Sequence, residues 1–173
     1  MKKILVVVDM QNDFIDGSLG TQEAQEIVGA VKEKILDYPS EAVFVTMDTH
    51  GADYLSTQEG KNLPVAHCIR GTEGWQLRPE LAELLRDAAV FEKPTFGSTA
   101  LAEAIRSMPE VEEIELIGLC TDICVVSNAL LLKAFMPEVR ICVDASCCAG
   151  VTPEKHLAAL ETMRSCQIEV RNG

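Results

Sequence analysis

The chain has 173 residues, 47% of them hydrophobic and 24% charged, and a formal net charge of −12; that size and balance point to one globular domain spanning 1–173. With 27 acidic against 15 basic side chains, it repels phosphate backbones, which argues against a nucleic-acid partner. The first apolar run, Ile4–Val8, stops at Asp9, short of the roughly 7–15 residues of a secretory core or the ~20 of a membrane span, so the expectation is a cytoplasmic protein without a membrane partner.

Ile4–Val8 is β-branched and continuously apolar, the signature of a strand buried on both faces. Asp9 closes it, either as the first residue of the turn "DMQNDF" or as a partly desolvated carboxylate at a strand end. Ala24, Ile27, Val28, Val31 and Ile35 then mark one helical face. A second strand, Ala42–Thr46, leads into "MDTH".

From Asp48 to Trp75 the periodicity lapses, and loops longer than about 12–15 residues tend to be functional or disordered. Asp48, His50 and His67 lie on this stretch, with Glu59 between the two histidines. A carboxylate and two imidazoles, with a second carboxylate available, suit a divalent transition metal bound through nitrogen and oxygen. Three or four such ligands leave positions for water or substrate.

Leu77, Leu81, Leu84 and Leu85 mark a second helix, and Ala88–Glu92 a third strand. Lys93 follows it, either as a solvated surface residue or, stiffened by Pro94, as a partner for Asp9 and a nearby thiol. Leu101, Ala104 and Ile105 mark the next helix, Ile114–Gly118 the fourth strand, and Val125–Phe135 a further helix. Val139–Val143 and Gln167–Val170 read as the last strands. Between them Thr152 and Pro153 form a helix start that leads into the face of Leu157, Leu160 and Met163.

Six strands alternating with helices imply an α/β fold: three αβα layers, a mostly parallel sheet with helices on both faces, and a site at the carboxyl ends of the strands. The residues to watch are therefore Asp9, Asp48, Lys93, the "GLCTD" turn and Asp144.

Seven cysteines without an export signal or a CxxC pair are expected to be reduced thiols. The adjacent Cys147 and Cys148 should face opposite ways. Cys124 lies in the first turn of the helix after "IGLCTD", with Thr121 or Asp122 available as its cap. There the helix N-terminus and a neighbouring lysine stabilise a thiolate. Backbone N–H groups of Cys120 and Cys124 can serve as an oxyanion hole. The other five cysteines read as small buried hydrophobes.

In order along nearly the whole chain stand "VVDMQNDF" (7–14), "GSL" (17–19), "MDTH" (47–50), "HCIRGTEG" (67–74), "EKPTFGS" (92–98), "GLCTDICV" (118–125) and "DA" (144–145). The set resembles the isochorismatase-like superfamily of cysteine hydrolases, and within it the nicotinamidase family. The resemblance implies a catalytic triad of Asp9, Lys93 and Cys124, with Asp9 taking the thiol proton and Cys124 attacking a carboxamide. It also implies a cis peptide at Leu119–Cys120, a metal held by Asp48, His50, His67 and Glu59, and ring contacts from Phe14 and Leu19.

Zinc is the expected ion, with manganese or iron as alternatives. The substrate would be a small amide, hydrolysed to an acid and ammonia, and the assembly a homo-oligomer, dimer or tetramer. "DTH" stands where "DWH" is commoner, and Pro64 where an aromatic residue often precedes the second histidine. Two other readings remain: a cysteine amidase acting on an N-carbamoyl or ureido compound, and a non-catalytic binding protein on the same fold.

Overall fold

The computed structural model describes residues 2–173. Its centre is a six-stranded sheet ordered β3-β2-β1-β4-β5-β6, in which every neighbouring pair runs parallel. The strands are β1 (Lys2–Val8), β2 (Val43–Asp48), β3 (Ala89–Lys93), β4 (Val111–Leu119), β5 (Arg140–Ala149) and β6 (Glu169–Arg171). All six expected strands are present, and their boundaries move by a few residues.

The helices are α1 (Asn12–Ile15), α2 (Gln22–Glu26), α3 (Val28–Leu36), α4 (Gln58–Asn62), α5 (Pro79–Ala82), α6 (Thr99–Arg106), α7 (Val126–Phe135) and α8 (Pro153–Ser165). Alternate residues of each central strand serve opposite cores, as the two-residue period of a strand requires. Ile4, Val6 and Val8 pack with Leu101 and Ile105 of α6, Leu132 of α7 and Leu160 of α8. Leu5 and Val7 pack with Ile15, Val31 and Ile35 of the α1–α3 layer and with Leu81. Cys148 belongs to the first core and Cys147 to the second, so the pair does face opposite ways.

Two expected helices are shorter than their apolar pattern. The 24–35 face is divided at Ile27, whose backbone stays helical (φ −81°, ψ −12°), so both pieces bury one continuous stripe. The 77–85 helix is reduced to the four residues of α5. Arg78, directly before Pro79, is held extended (φ −51°, ψ 126°) because the proline ring disfavours the helical region for its predecessor. Leu77 instead forms a bridge with Gln11.

β1 pairs with β2 on one side and β4 on the other, so successive crossovers leave it in opposite directions and a crevice opens at its carboxyl end. Gly118 is required at that junction: its φ is +114°, and a Cβ would sit 2.1 Å from the Val8 carbonyl oxygen. The backbones of β1 and β4 therefore approach more closely than a side chain permits. Asp144 does not reach this edge, because β5 continues to Ala149; its carboxylate pairs with Lys34 Nζ at 2.7 Å, away from the crevice.

Candidate active site

Three strand ends bring their charges together. Asp9 follows β1 with a left-handed backbone (φ 47°), an uncommon conformation that aspartate adopts more readily than most residues. Its N–H donates to the Thr46 carbonyl (3.1 Å), its carbonyl accepts from Gln11 N–H (2.7 Å), and its Oδ1 accepts from Thr46 Oγ1 at 2.6 Å.

Lys93, at the end of edge strand β3, reaches over β2 to place Nζ 2.6 Å from Asp9 Oδ2 and 3.5 Å from Asp48 Oδ1. The same Nζ lies 3.3 Å from Cys124 Sγ. Asp9, Lys93 and Cys124 are 0%, 2% and 5% exposed. An ammonium this deep is tolerated only where anions surround it. The surface reading of Lys93 and the simple-turn reading of Asp9 are both excluded by this geometry.

The charge states follow from burial and neighbours. Burial pushes the Asp9 carboxyl above its ordinary value, with Lys93 opposing the shift and Asp48 adding to it. Burial works against the Lys93 charge, but Asp9, Cys124 and Asp48 outweigh it and hold the ammonium on. Burial and the Asp9 charge push the Cys124 thiol well above its ordinary value, and Lys93 only partly offsets them. This corrects the expectation of a stabilised thiolate: desolvation of the sulfur exceeds what one lysine and a helix end return.

Cys124 lies in a π-helical turn, Thr121–Val125, that leads into α7. Neither expected cap operates. Thr121 Oγ1 bonds His156 Nδ1 at 2.8 Å, Asp122 Oδ1 accepts from Val151 N–H at 3.0 Å, and no side chain caps the turn. The Cys120 carbonyl accepts from both Ile123 and Val125 N–H groups at 3.1 Å. Among the described residues the N–H groups of Cys120 and Cys124 have no backbone acceptor outside the turn. The Leu119–Cys120 peptide is cis, as the family resemblance implied.

The second constellation adjoins the first. Asp48, His50, Glu59 and His67 each turn one ligand atom into a cluster whose members lie within 4.8 Å of one another. His50 Nε2 is 2.9 Å and His67 Nε2 3.4 Å from Asp48 Oδ2, and both imidazoles stand 3.7 Å from Glu59 Oε1. His67 Nδ1 is 2.8 Å from the Val65 carbonyl. That contact has Nδ1 donating to a carbonyl and turns Nε2 toward the cluster, the orientation of a metal-binding histidine. Burial pushes the Asp48 carboxyl up, yet hydrogen bonds from His50 and His67 and the Lys93 charge hold it well below the usual range. Two imidazole nitrogens and two carboxylates fit a divalent transition ion.

The irregular 48–75 segment is ordered around this cluster. Gln11, 0% exposed, fixes the Asp48 backbone from both sides: Nε2 donates to Asp48 O and Oε1 accepts from Asp48 N–H, each at 2.8 Å. Asp13 Oδ2 accepts from Cys68 N–H at 2.7 Å, beside His67. Tyr54 lies with its ring centroid 4.7 Å from that of His50 and 4.9 Å from that of His67. Phe14 is 5.6 Å from His67 by the same measure, and Leu19 packs at the edge of the core on that side. A cavity of about 790 Å³ opens here, walled by His50, Glu59, Leu63, Pro94, Phe96 and Ile123.

Sequence reasoning passed over Thr46, Gln11, Tyr54, His156 and Asn128, all of which touch the site. Gln11 alone carried a signal, through its place inside "DMQNDF". Of the five cysteines read as buried packing residues, Cys68, Cys142, Cys147 and Cys148 are buried, but Cys166 at the end of α8 is exposed.

The isochorismatase domain model matches residues 3–172. The nicotinamidase/pyrazinamidase of Mycobacterium tuberculosis is 29% identical over 188 residues, covering 97% of each chain. The nicotinamidase of Escherichia coli is 30% identical over 86% of this chain and 84% of its own. The crystal structure of a Pyrococcus horikoshii pyrazinamidase in complex with zinc superposes with a TM-score of 0.81 at 26% identity, over 98% of both chains. With the sheet order, the crevice residues and a family match over almost its full length in agreement, the chain belongs to the isochorismatase family.

Proposed function

We propose that this chain is a nicotinamidase, a single hydrolase unit that converts nicotinamide to nicotinate and ammonia through a thioester on Cys124. The observation that carries the reading is Lys93 Nζ standing 2.6 Å from Asp9 and 3.3 Å from Cys124 Sγ, beside a four-residue cluster with the chemistry of a metal site.

Asp9 takes the thiol proton as the sulfur attacks the carboxamide carbon; a carboxyl raised by burial is the better base for it. Lys93 keeps its charge throughout and steadies the developing sulfur anion. The carbonyl oxygen becomes an oxyanion in front of the Cys120 and Cys124 N–H groups, which need not reorganise to bind it. The proton on Asp9 passes to the leaving nitrogen, and ammonia departs. Water, deprotonated in turn by Asp9, then cleaves the thioester, releases nicotinate and returns the proton to sulfur.

Asp48, His50, Glu59 and His67 would hold one divalent ion, zinc first among the candidates, supplying a Lewis-acid anchor for a pyridine nitrogen. Phe14, Leu19 and the apolar cavity wall would enclose the ring. Nicotinamidase or pyrazinamidase activity in the named relatives, and zinc in one of them, support the reading.

The deciding experiment is ammonia release from nicotinamide by wild type and by Cys124→Ala, together with the metal content of both proteins. Turnover by wild type, its loss in the variant and about one divalent ion per chain are expected. Turnover confined to a ureido compound would replace the substrate, and ammonia release undiminished by Cys124→Ala would remove the nucleophile.

A further inference from the structure

Asn128, on the first turn of α7, is 1% exposed and none of the chemistry above uses it. Its Oδ1 accepts from Ser98 N–H at 2.9 Å, and its Nδ2 donates to the Phe96 carbonyl at 3.1 Å and to the Cys124 carbonyl at 2.8 Å. All of these partners are backbone groups. A primary amide has one carbonyl oxygen and two N–H donors, and all of them are engaged. The reverse orientation would set an oxygen against two carbonyl oxygens, so the amide has a single stable pose.

The two segments it joins are the two halves of the reacting centre. Phe96 and Ser98 belong to the stretch that follows Lys93; Phe96 walls the cavity and Ser98 caps α6 by accepting from Leu101 N–H at 3.2 Å. Cys124 lies across the crevice, in a turn without a side-chain cap of its own. Its neighbours on α7, Ala129 and Leu132, are buried and apolar. A buried amide instead costs desolvation and returns little net stability; what it supplies is one fixed geometry.

Resting on the reading of Cys124 as nucleophile, we propose that Asn128 is a positioning residue that holds the Cys124 turn against the strand exit carrying Lys93, and so keeps sulfur, ammonium and carboxylate in register. It touches neither substrate nor reacting atoms and acts through the backbone it grips.

Asn128→Ala, Asn128→Asp and Asn128→Ser test this. The readouts are kcat and KM for ammonia release, the rate of Cys124 alkylation by iodoacetamide followed by mass spectrometry, and the thermal midpoint. Displacement of a reacting group by about 1 Å costs on the order of a hundredfold, so Asn128→Ala should lower kcat about 10- to 100-fold and slow alkylation in parallel. KM should move much less.

Asn128→Asp is isosteric but turns a carboxylate toward two carbonyl oxygens, and should be slower than Asn128→Ala. Asn128→Ser can keep the bond to the Cys124 carbonyl four residues back while losing the other two, and should fall between wild type and alanine.

A folded variant with wild-type metal content, and with kcat and alkylation both within about twofold of wild type, overturns the proposal. If the alanine and aspartate variants fail to fold, the serine variant decides by the same criterion. Should wild type release no ammonia from nicotinamide, the substrate reading fails while the alkylation rates still judge Asn128.

Discussion

Lys93 shows how much a single side chain carries. Its ammonium is buried beside the carboxylates of Asp9 and Asp48 and the sulfur of Cys124, and the buried Asp9 carboxylate is tolerable there because the lysine is present. Removing one partner of a buried pair leaves an uncompensated charge and costs about 3–5 kcal/mol. Lys93→Met should therefore lower the chemical-denaturation midpoint markedly as well as abolish turnover, and a fully stable, inactive Lys93→Met protein would contradict this account. Cys120 is the counter-case. The proposed reaction uses only its backbone N–H, so Cys120→Ser should retain most of the activity; a correctly folded but inactive Cys120→Ser enzyme would assign the sulfur a role. Both residues were visible in sequence, Lys93 because Pro94 fixes its exit and Cys120 through its four-residue spacing from Cys124. The upward push on the Cys124 thiol was not visible, because it depends on the desolvation imposed by packing from several elements.

The elements that end by local rules were the legible ones. Thr152 accepts from Lys155 N–H at 3.3 Å and Pro153 follows at the first helical position, as the residues "TPE" specify. Thr152→Ala should destabilise the protein by about 1 kcal/mol, measurable by urea unfolding. The Cys124 turn behaves differently. Its start carries no side-chain cap, Thr121 is occupied by His156 and Asp122 by Val151, so a segment some thirty residues further along the chain helps set its shape. No local pattern announces a π turn. The division at Ile27 and the late start of α5 likewise come from outside the apolar periodicity, the latter from Pro79 acting on Arg78.

Across the whole molecule, the buried charges around Lys93 and a second charged network lie apart. Glu113 and Glu115 on β4 and Asp144 on β5 are buried, bound by Arg171, Lys34 and Tyr38. Hydrogen bonding to Arg171 holds the Glu113 carboxyl below its ordinary 4.5. Burial pushes Asp144 up, but Lys34, Ser146 and Asn172 prevail and hold it below 3.8. A carboxyl depressed by folding stabilises the native state above its unfolded pKa, and that contribution disappears as pH falls through the folded value. The unfolding midpoint should accordingly decline below about pH 4.5, and Glu113→Gln should flatten that acid limb. A variant with an unchanged acid limb would show that the network does not contribute.

The amino-acid sequence by itself determined the strand count and the αβα layering and singled out the strand-end residues Asp9, Asp48 and Lys93, because two-residue and helical periodicities, proline, and the residues that close each strand are local properties. Tertiary structure alone decided that Asp9, Lys93 and Cys124 meet within hydrogen-bonding reach, that burial pushes the thiol up, that Glu59 joins the two histidines, and that Asn128 ties the Cys124 turn to the segment after Lys93. Each of these depends on distances between segments far apart along the chain, and on the loss of solvent where those segments close over one another.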